Sequence, residues 1–547
     1  MMKKSSSEKI KHVVVLMFEN RSFDHILGAM PGVNGVLEDA TAVKPGLYNY
    51  LDPLNPTEIS NFMQTPFSIT PGDAEAAYIR GGTDFNHDFD AMFTNLYGPG
   101  TTGIIKGEPQ NNPWPTYPDV NPGFVHINYE KTGQGTEYPA QNPTMSYFKW
   151  KEMKVFHALA EDFVVCDNWF CDMPGHTAPN RAFMHCATTG GLGLENIDAA
   201  REPSKDGPMV GKESIFERLE SFGNTWKMYV PGGLDIGNNV DTDFLNCTVS
   251  QQQYDPADLN QTNCTGVPLE QFCVDVKSGN LPTYSFIMCF DQGKNNPCMH
   301  PNASVQPGEG LLASVYNVLR NSDHWEDTLL VVNFDENGGI YDHVRPPRTV
   351  PPYPDQPAQQ VTVWDQHTGE SKTYTFDFSI LGFRVPVMLI SPWLHRGIES
   401  QQLQNTSVLR FLQDHFCAPV PPFDPLDPPT SYLTQRDRFA NSIQTVFDNF
   451  GLDAPRTDCP EHMHSTKSYD ICHHNRIPDE ILQAAPEKYM LDLTLEYISS
   501  LPGHPDSGRI INREFETLAE LLDYVLERRK AATAHCTQQN TTPSTPR

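Results

Sequence analysis

The amino-acid sequence predicts an α/β fold, in which helices flank a mostly parallel central sheet and long loop insertions interrupt it. The first observation is the apolar run HVVVLMF at 12–18, which is typical of a strand buried on both faces of a parallel sheet. Two similar runs, Thr328–Phe334 and Phe383–Ser391, lie far downstream, and segments with helical spacing, such as 145–161, lie between the runs. A chain of 547 residues with 47 prolines can bury such a sheet and surround it with loops.

Two oxygen-bearing side chains follow the first strand. Phe18 is followed directly by Glu19 and Asn20. In open α/β sheets, ligands bind outside the carboxyl ends of the strands, so this pair is a candidate for a functional site. A strand that ends in an ordinary polar turn would have the same residues, and the pair alone does not separate the two interpretations.

The strand at 328–334 ends in a second set of carboxylates. Asp335 and Glu336 follow it, and Gly338 and Gly339 come two residues later. Adjacent carboxylates repel each other unless a positive charge lies between them, and oxygen ligands suit a hard cation. The paired glycines permit a tight turn and a close backbone approach. The sequence therefore predicts a metal site, against the alternative of two solvated acidic turns.

A third strand-like run, Phe163–Phe170, leads into a loop and then a predicted helix from Pro179 through Thr189. Pro179 suits the first turn of a helix, where its missing N–H group costs nothing. Thr177 lies at or just before that turn, where free N–H groups and the helix dipole favour phosphate. Thr177 is therefore a candidate nucleophile, and the alternative is that its hydroxyl only caps the helix.

Four stretches of the chain together resemble a known phosphoesterase family. They occur in the family's order between about residues 12 and 439, and they read HVVVLMFENRSFDHILG, DMPGHTAPNRAFMHCATTGG, TLLVVNFDENGGIYDHVRPP and FRVPVMLISPW. The family includes bacterial and plant non-specific phospholipases C, which hydrolyse phosphatidylcholine, and respiratory-burst-inhibiting acid phosphatases. The resemblance implies an alkaline-phosphatase-like fold and a metal-dependent attack on phosphorus by a serine or threonine.

The resemblance also implies roles for particular residues. Five side chains fall on the family's metal-ligand positions: Glu19, Asn20, Thr177, Asp335 and Glu336. Thr177 falls on the nucleophile, whereas His87 and His300 fall on histidines that contact the phosphate or protonate the leaving oxygen. The expected cofactor is one divalent metal ion. Oxygen ligands favour magnesium, calcium or manganese, whereas related sites use zinc, so the metal stays open.

Three residues depart from the family's usual pattern. His176 stands beside Thr177 where proline is usual, and Asn337 and Asn405 stand where histidines are usual. These differences leave the expected metal ligands and Thr177 in place. They change the titrating groups near the site, and therefore bear on substrate preference and pH optimum.

The sequence favours a phospholipase C that releases diacylglycerol and a phosphorylated head group from phosphatidylcholine-type lipids. An acid phosphatase acting on phosphomonoesters is the first alternative, and a non-catalytic binding protein with the same fold is the second. The formal net charge of −29 argues against nucleic acid or an anionic membrane as a partner. It leaves zwitterionic phospholipids and small phosphate esters as substrates, with transient contact at a lipid surface.

The chain is expected to comprise a catalytic domain at 1–448 and a C-terminal extension at 449–547. The extension contains a predicted amphipathic helix at 513–530 and a disordered tail after Ala531. The proline-rich segment 418–429 is predicted to be a linker or a wrapping arm. We find no transmembrane run of 18 apolar residues and no classical signal peptide, which leaves both a cytoplasmic location and export by another route open.

The 12 cysteines have two interpretations. One polar segment contains five of them: Cys247, Cys264, Cys273, Cys289 and Cys298. This segment is either an insertion tied by disulfides or a segment with free thiols. A second group mixes cysteine with histidine: Cys459, His462, His464, Cys472, His473 and His474. This mixture suits zinc, but its spacing matches no standard finger, so a structural zinc site is one hypothesis for it.

Overall fold

The structure, a computed structural model, describes residues 5–472 apart from 39–41, 46, 51–58, 62, 65–84, 99, 111–120, 122, 125–126, 128–142, 190–212, 231–260, 290–296, 302–303, 366–369 and 418–431. The predicted helix at 513–530, the tail after Ala531, the segment 418–429 and Cys247 lie outside the described residues. In the part that is described, no helix combines the length and apolar character needed to span a membrane.

The strands are β1 (His12–Phe18), β2 (Tyr48–Tyr50), β3 (Ile59–Asn61), β4 (Met63–Gln64), β5 (Gly103–Ile105), β6 (Glu108–Gln110), β7 (Ser146–Tyr147), β8 (Val164–Cys166), β9 (Trp169–Phe170), β10 (Trp226–Val230), β11 (Cys264–Pro268), β12 (Tyr284–Met288), β13 (Thr328–Phe334), β14 (Gln359–Asp365), β15 (Glu370–Phe376), β16 (Val387–Ile390), β17 (Gly397–Glu399) and β18 (Leu403–Gln404).

The α-helices are α1 (Phe23–Ile26), α2 (Phe89–Tyr97), α3 (Lys154–Asp162), α4 (Thr177–Cys186), α5 (Ile215–Ser221), α6 (Leu269–Ser278), α7 (Gln306–Arg320), α8 (Thr406–Phe416), α9 (Gln435–Phe439) and α10 (Gln444–Phe450). Short 3-10 helices occupy Ser6–Lys9, Pro143–Met145 and Trp325–Asp327.

An eight-stranded sheet forms the centre of the described chain, in the order β11-β10-β12-β1-β13-β16-β8-β17. The strands from β11 to β13 are mutually parallel, and β16 runs antiparallel to both of its neighbours. Helix α3 packs against β16, α5 packs against β10, and α6 packs against β10 and β11. The predicted α/β class, with a mostly parallel sheet flanked by helices, is confirmed.

Strands β1 and β13 are neighbours at the middle of the sheet, and they end together. Their residues pair in register from His12 with Thr328 to Phe18 with Phe334. Every residue of β13 is buried, as is every residue of β1 after His12, which is typical of strands at the centre of a parallel sheet. The residues after Phe18 and Phe334 therefore emerge side by side at the carboxyl edge of the sheet.

A smaller sheet and an aromatic cluster form a second core. The smaller sheet has the strand order β14-β15-β5-β6. Phe89 and Phe93 of α2 pack edge-on and tilted against Tyr374 and Phe376 of β15, with ring centroids 5.4–6.1 Å apart. This contact anchors the start of α2, which begins two residues after His87, on the smaller sheet.

Several predicted elements have different bounds in the structure. The strand predicted at 163–170 is two short strands, β8 and β9, which belong to different sheets and are separated by a turn at Asp167. The strand predicted at 383–391 is only Val387–Ile390. The helix predicted through Thr189 ends at Cys186, because Ala187 adopts a left-handed conformation with φ 55°.

The helical pattern at 145–161 is only partly a helix. Residues Ser146–Tyr147 form β7, and α3 does not begin until Lys154. Lys151 has φ 73°, which interrupts any helix through that position. The amino end of α3 is instead held by Glu309 of α7, whose Oε1 accepts hydrogen bonds from the N–H groups of Val155 and Phe156 at 2.8 and 3.0 Å.

The first compact unit continues beyond the boundary predicted at 448 and ends at Cys472, and residues 473–547 lie outside the described residues. Cys472 forms a disulfide with Cys273 of α6, and the hydroxyl of Tyr316 donates a hydrogen bond to the carbonyl of Pro460. Residues 449–472 are therefore joined to the unit that contains the central sheet.

The same disulfide answers part of the cysteine question. Because Cys472 is bonded to Cys273, it offers no thiolate to zinc, and the hypothesis of a zinc site that includes Cys472 is wrong for the disulfide-bonded chain. Cys459 is a buried free thiol, and Cys264, Cys289 and Cys298 of the polar segment are also buried. This disulfide joins the polar segment to a later part of the chain.

Candidate active site

The carboxyl ends of β1 and β13 bring the two predicted carboxylate groups together. The N–H group of Asp335 donates to the carbonyl of Phe18 at 3.2 Å, which continues the ladder between the strands. In return, Oδ1 of Asp335 accepts a hydrogen bond from the N–H group of Asn20 at 3.0 Å and from that of Glu336 at 2.8 Å. The first predicted ligand pair and the second are thus directly linked.

Asn20 lies at the centre of the candidate site and has an unusual backbone conformation. Its φ is 61°, in the left-handed region that asparagine enters more easily than most residues. Its Oδ1 accepts the hydroxyl of Thr177 at 3.1 Å. Its Nδ2 lies 3.2 Å from Nε2 of His87 and 2.9 Å from Nε2 of His300. One carboxamide therefore contacts three of the predicted catalytic side chains.

These contacts indicate the protonation of the His87 ring. Nδ1 of His87 lies 2.7 Å from the carbonyl oxygen of Phe85, which can only accept a hydrogen bond. Nδ1 therefore carries the proton, and Nε2 presents a lone pair toward the amide of Asn20. The same Nε2 is 3.8 Å from Oε1 of Glu336, so His87 also joins the second carboxylate pair to the site.

Thr177 is the first residue of α4, and its hydroxyl points to Asn20. His176 is the residue that precedes the helix, and its side chain makes no capping hydrogen bond. The preceding loop is held by Asn180, whose Nδ2 donates to the carbonyls of Met173, Gly175 and His176 at 3.1–3.2 Å. His176 therefore occupies the cap position of α4, and the alternative in which Thr177 is the helix cap is wrong.

The paired glycines make the close approach that the sequence predicts. Gly338 and Gly339 have φ values of 64° and 66°, a conformation that favours glycine. A Cβ atom on Gly338 would lie 2.1 Å from the carbonyl oxygen of Asn20. The N–H group of Gly338 donates to Oε2 of Glu336 at 2.6 Å. The turn thus packs directly on Asn20 and holds the Glu336 carboxylate.

Arg181 is a member of the site to which the sequence analysis assigned no role. Its Nε lies 3.3 Å from Oδ2 of Asp335, and its Nη2 lies 3.5 Å from Oε1 of Glu19. The available signal was its position four residues after Thr177 on α4, which places both side chains on one helix face. The positive charge that the neighbouring carboxylates require is therefore supplied in part by this guanidinium.

The three departures from the family's pattern lie beside the site. Burial, and next the neighbouring His87, lower the pKa of His176 to about 4, so the ring is neutral near neutral pH. Asn337 is buried and donates to the carbonyl of Ile340 at 3.0 Å. Asn405 is buried, and its Nδ2 donates to the carbonyl of Asp335 at 3.2 Å. The two asparagines therefore hold the backbone of the site by neutral hydrogen bonds.

The chemistry of the donor set fits a divalent cation. Asp335 and Glu336 are fully buried, and Glu19 is 7% exposed. Buried carboxylates are stable only where positive charge or hydrogen bonds compensate them, and the guanidinium of Arg181 contacts two of these three, Asp335 and Glu19. Glu19, Asp335 and Glu336, with the oxygens of Asn20 and Thr177, are the residues that would hold the ion.

Carboxylates, imidazoles and the hydroxyl of a helix residue thus meet at the carboxyl edge of a mixed α/β sheet. Sequence comparison identifies the class of enzyme to which this arrangement belongs. A sequence model described as the Phosphoesterase family matches residues 10–419. The chain therefore belongs to the Phosphoesterase family and is a phosphoric ester hydrolase.

Two relatives named as phospholipases C agree with this family. The chain is 28% identical over 471 residues to non-specific phospholipase C3 of Arabidopsis thaliana, and the alignment covers 83% of this chain and 76% of the relative. It is 28% identical over 427 residues to phospholipase C B of Mycobacterium tuberculosis, which covers 75% and 74%. A solved protein of the alkaline phosphatase superfamily from Vibrio parahaemolyticus matches 48% of this chain and 59% of its own, with TM-score 0.27 and 12% identity.

Proposed function

We propose that this chain is a metal-dependent phospholipase C that uses Thr177 as its nucleophile and releases diacylglycerol from phosphatidylcholine-type lipids. The observation that carries the proposal is the contact of the Thr177 hydroxyl with Asn20, at 3.1 Å. The same carboxamide contacts His87 and His300, and its backbone N–H binds Asp335. A nucleophile, two proton carriers and a carboxylate thus share one residue, as a covalent phosphoryl-transfer site requires.

The first chemical step forms a bond between Oγ1 of Thr177 and phosphorus and breaks the bond to the glycerol oxygen. Thr177 loses its hydroxyl proton as this bond forms, and one of the two imidazoles, His87 or His300, takes up a proton on Nε2 and gives it to the glycerol oxygen as diacylglycerol departs. Water then cleaves the phosphothreonine, which regenerates Thr177 and releases the phosphorylated head group. Arg181 and the amino end of α4 stabilise negative charge on the phosphoryl oxygens.

A divalent metal ion bound at this site would polarise the phosphoryl oxygens and lower the pKa of the Thr177 hydroxyl. Glu19, Asn20, Thr177, Asp335 and Glu336 are the proposed ligands, and Asp335 and Glu336 are fully buried. Asp335→Asn and Glu19→Gln should each lower the amount of bound metal and the activity together, because each removes a charged ligand. Elemental analysis of the purified variants measures the first quantity, and full activity of a metal-free parent protein would contradict the proposal.

Two observations favour a choline phospholipid over a phosphomonoester. The relatives named above are phospholipases C. The net charge of −29 disfavours a doubly charged monoester more than a diester with one negative charge and a cationic head group. An acid phosphatase remains the alternative function, and it would require activity on monoesters only.

The experiment that tests the function is chromatography of the products from phosphatidylcholine in mixed micelles. We expect diacylglycerol and phosphocholine, at a rate above that on a simple phosphomonoester, with loss of activity after chelation. Phosphatidic acid as the product would contradict cleavage on the glycerol side. Turnover confined to monoesters would support the acid phosphatase, and a folded protein with no turnover on either substrate would support a binding protein.

Paired variants at Thr177 separate the nucleophile from the fold. Thr177→Ala should lower the turnover by several powers of ten, as expected when a covalent catalyst is removed. Thr177→Ser retains a hydroxyl and should keep part of the activity. Turnover by Thr177→Ala near that of the parent would contradict the proposed mechanism.

A further inference from the structure

We propose that a second metal site, suited to zinc, lies at the amino ends of the central strands β1 and β13, opposite to the candidate active site. It is formed by His12, His324 and Asp327. His12 is the first residue of β1, and Asp327 directly precedes β13. His324 immediately precedes the 3-10 helix Trp325–Asp327, so it lies three residues before Asp327. The proposed function makes no use of these residues.

The three side chains converge at distances that suit one tetrahedral ion. Oδ1 of Asp327 lies 3.9 Å from Nε2 of His12 and 3.5 Å from Nδ1 of His324. One ligand atom from each residue lies within 4.8 Å of the other two. Two ligands bonded to zinc at about 2.1 Å, at a tetrahedral angle, are about 3.4 Å apart. Small rotations of the side chains would therefore bring all three atoms to bonding distance.

The hydrogen bonding of His12 prepares it as a ligand. Its Nδ1 lies 2.8 Å from the carbonyl oxygen of Pro282, so this nitrogen carries the proton and Nε2 has a lone pair that faces Asp327. A backbone carbonyl on the far nitrogen is the usual way in which proteins orient a histidine toward a metal. Two imidazoles and one carboxylate are ligands that suit zinc better than magnesium or calcium.

Other atoms of the cluster have no hydrogen-bond partner. These atoms are Oδ1 of Asp327 and Nε2 of His324, both buried. Lys11 lies 2.9 Å from the other carboxylate oxygen of Asp327, so Oδ1 remains directed at the two imidazoles. The side chains of His12, His324 and Asp327 are 14%, 15% and 19% exposed, which leaves a route from solvent. An ion here would satisfy a carboxylate oxygen that the protein itself leaves unpaired.

A second group in the described residues meets the same distance criterion but is already filled. It comprises Asp24, Asp342 and His343. Arg384 occupies it, with Nη2 2.9 Å from Oδ1 of Asp24 and Nε 2.9 Å from Oδ1 of Asp342. The guanidinium there does what a metal ion would do, which is why the inference concerns only the cluster at His12.

The position of the site suggests a structural role. Glu19 follows His12 by seven residues along β1, which separates the two sites by about 23 Å at about 3.3 Å per residue. An ion bound by His12 on one strand and by His324 and Asp327 before the other would clamp the amino ends of β1 and β13. Zinc at this site should therefore stabilise the fold without taking part in turnover.

Zinc stoichiometry of the full chain tests the inference. The parent protein, His324→Ala and Asp327→Asn are each equilibrated with zinc, dialysed against metal-free buffer and analysed for zinc per chain. We expect each variant to bind one equivalent less than the parent and to keep the parent's turnover. A double variant of His462 and His464, whose rings lie 4.5 Å apart near the surface, is the matched control and should lose no tightly bound zinc.

A second measurement guards against misfolded variants. Zinc should raise the melting temperature of the parent by more than that of either variant, while the three melting temperatures in chelator should agree within a few degrees. Equal zinc content and equal zinc-dependent shifts in the parent and both variants would overturn the inference. Because the active-site carboxylates are unchanged throughout, loss of this equivalent is distinguishable from loss of the proposed catalytic metal.

Discussion

The Gly338→Ala variant tests how strictly the site depends on the position of Asn20. A Cβ atom at Gly338 would lie 2.1 Å from the carbonyl oxygen of Asn20, whereas real Cβ contacts essentially never fall below 3.0 Å. Asn20 and the glycine turn must therefore separate by about 1 Å. Because Asn20 contacts Thr177, His87 and His300, this displacement moves all three contacts. A misplacement of about 1 Å typically costs about 100-fold in rate, which corresponds to about 2.7 kcal/mol of activation free energy.

Gly279→Ala is the matched control for Gly338→Ala. Gly279 also has a left-handed backbone, with φ 77°, but an added Cβ atom would meet nothing within 4 Å. In both variants, alanine at positive φ lowers stability by about 1–2 kcal/mol, and only in Gly338→Ala does the added Cβ atom clash with Asn20. Urea unfolding should show a small loss of stability in Gly279→Ala. Turnover of the same variant on phosphatidylcholine should be normal. Turnover by Gly338→Ala within threefold of that by Gly279→Ala would refute the reasoning.

Two further predictions concern stability. Burial raises the pKa of Glu309 to about 7, against the opposing hydrogen bonds from the start of α3. The contribution of Glu309 to the free energy of unfolding is therefore full below pH 4.5, and about 3 kcal/mol of it is lost as the pH rises through 7. Urea unfolding at pH 5 and 7.5 should show a smaller fall in stability for Glu309→Gln than for the parent, and parallel behaviour would contradict the assignment. Arg384→Met should lower the free energy of unfolding by about 3–5 kcal/mol, because it leaves the buried carboxylates of Asp24 and Asp342 unpaired. The control Arg396→Met removes a pair that is 63% and 62% exposed and should change stability far less in the same assay; equal losses in the two arginine variants would contradict the prediction.

The parts of the site that follow buried strands could be predicted from sequence alone. Glu19, Asn20 and Asp335 come directly after apolar runs, and parallel strands deliver such residues to one edge of a sheet. His87 and His300 reach the same point through loops that have no periodic pattern, so only the resemblance to a family drew attention to them. The structure brings both rings onto the Asn20 amide.

The errors in the predicted elements have tertiary causes. The start of α3 is set by Glu309, which is 154 residues away from Val155 in the chain, and no local pattern encodes that contact. The turn at Asp167 is similarly fixed by distant groups, since its carboxylate accepts the N–H of Asn34 at 2.7 Å and its own N–H donates to the carbonyl of Glu399 at 3.1 Å. Periodicity describes the faces of an element, whereas these bounds depend on partners elsewhere in the fold.

The covalent step at Thr177 is the central claim, and mass spectrometry of acid-quenched protein tests it most directly. The protein is mixed with phosphatidylcholine, stopped during turnover and digested, and the peptide that contains Thr177 is examined for an added phosphocholine group. We predict the adduct on Thr177 of the parent, since its hydroxyl is the one bonded to Asn20 at 3.1 Å, and its absence from Thr177→Ala. Diacylglycerol release at the parent's rate by Thr177→Ala, or an adduct located on another residue, would contradict the account.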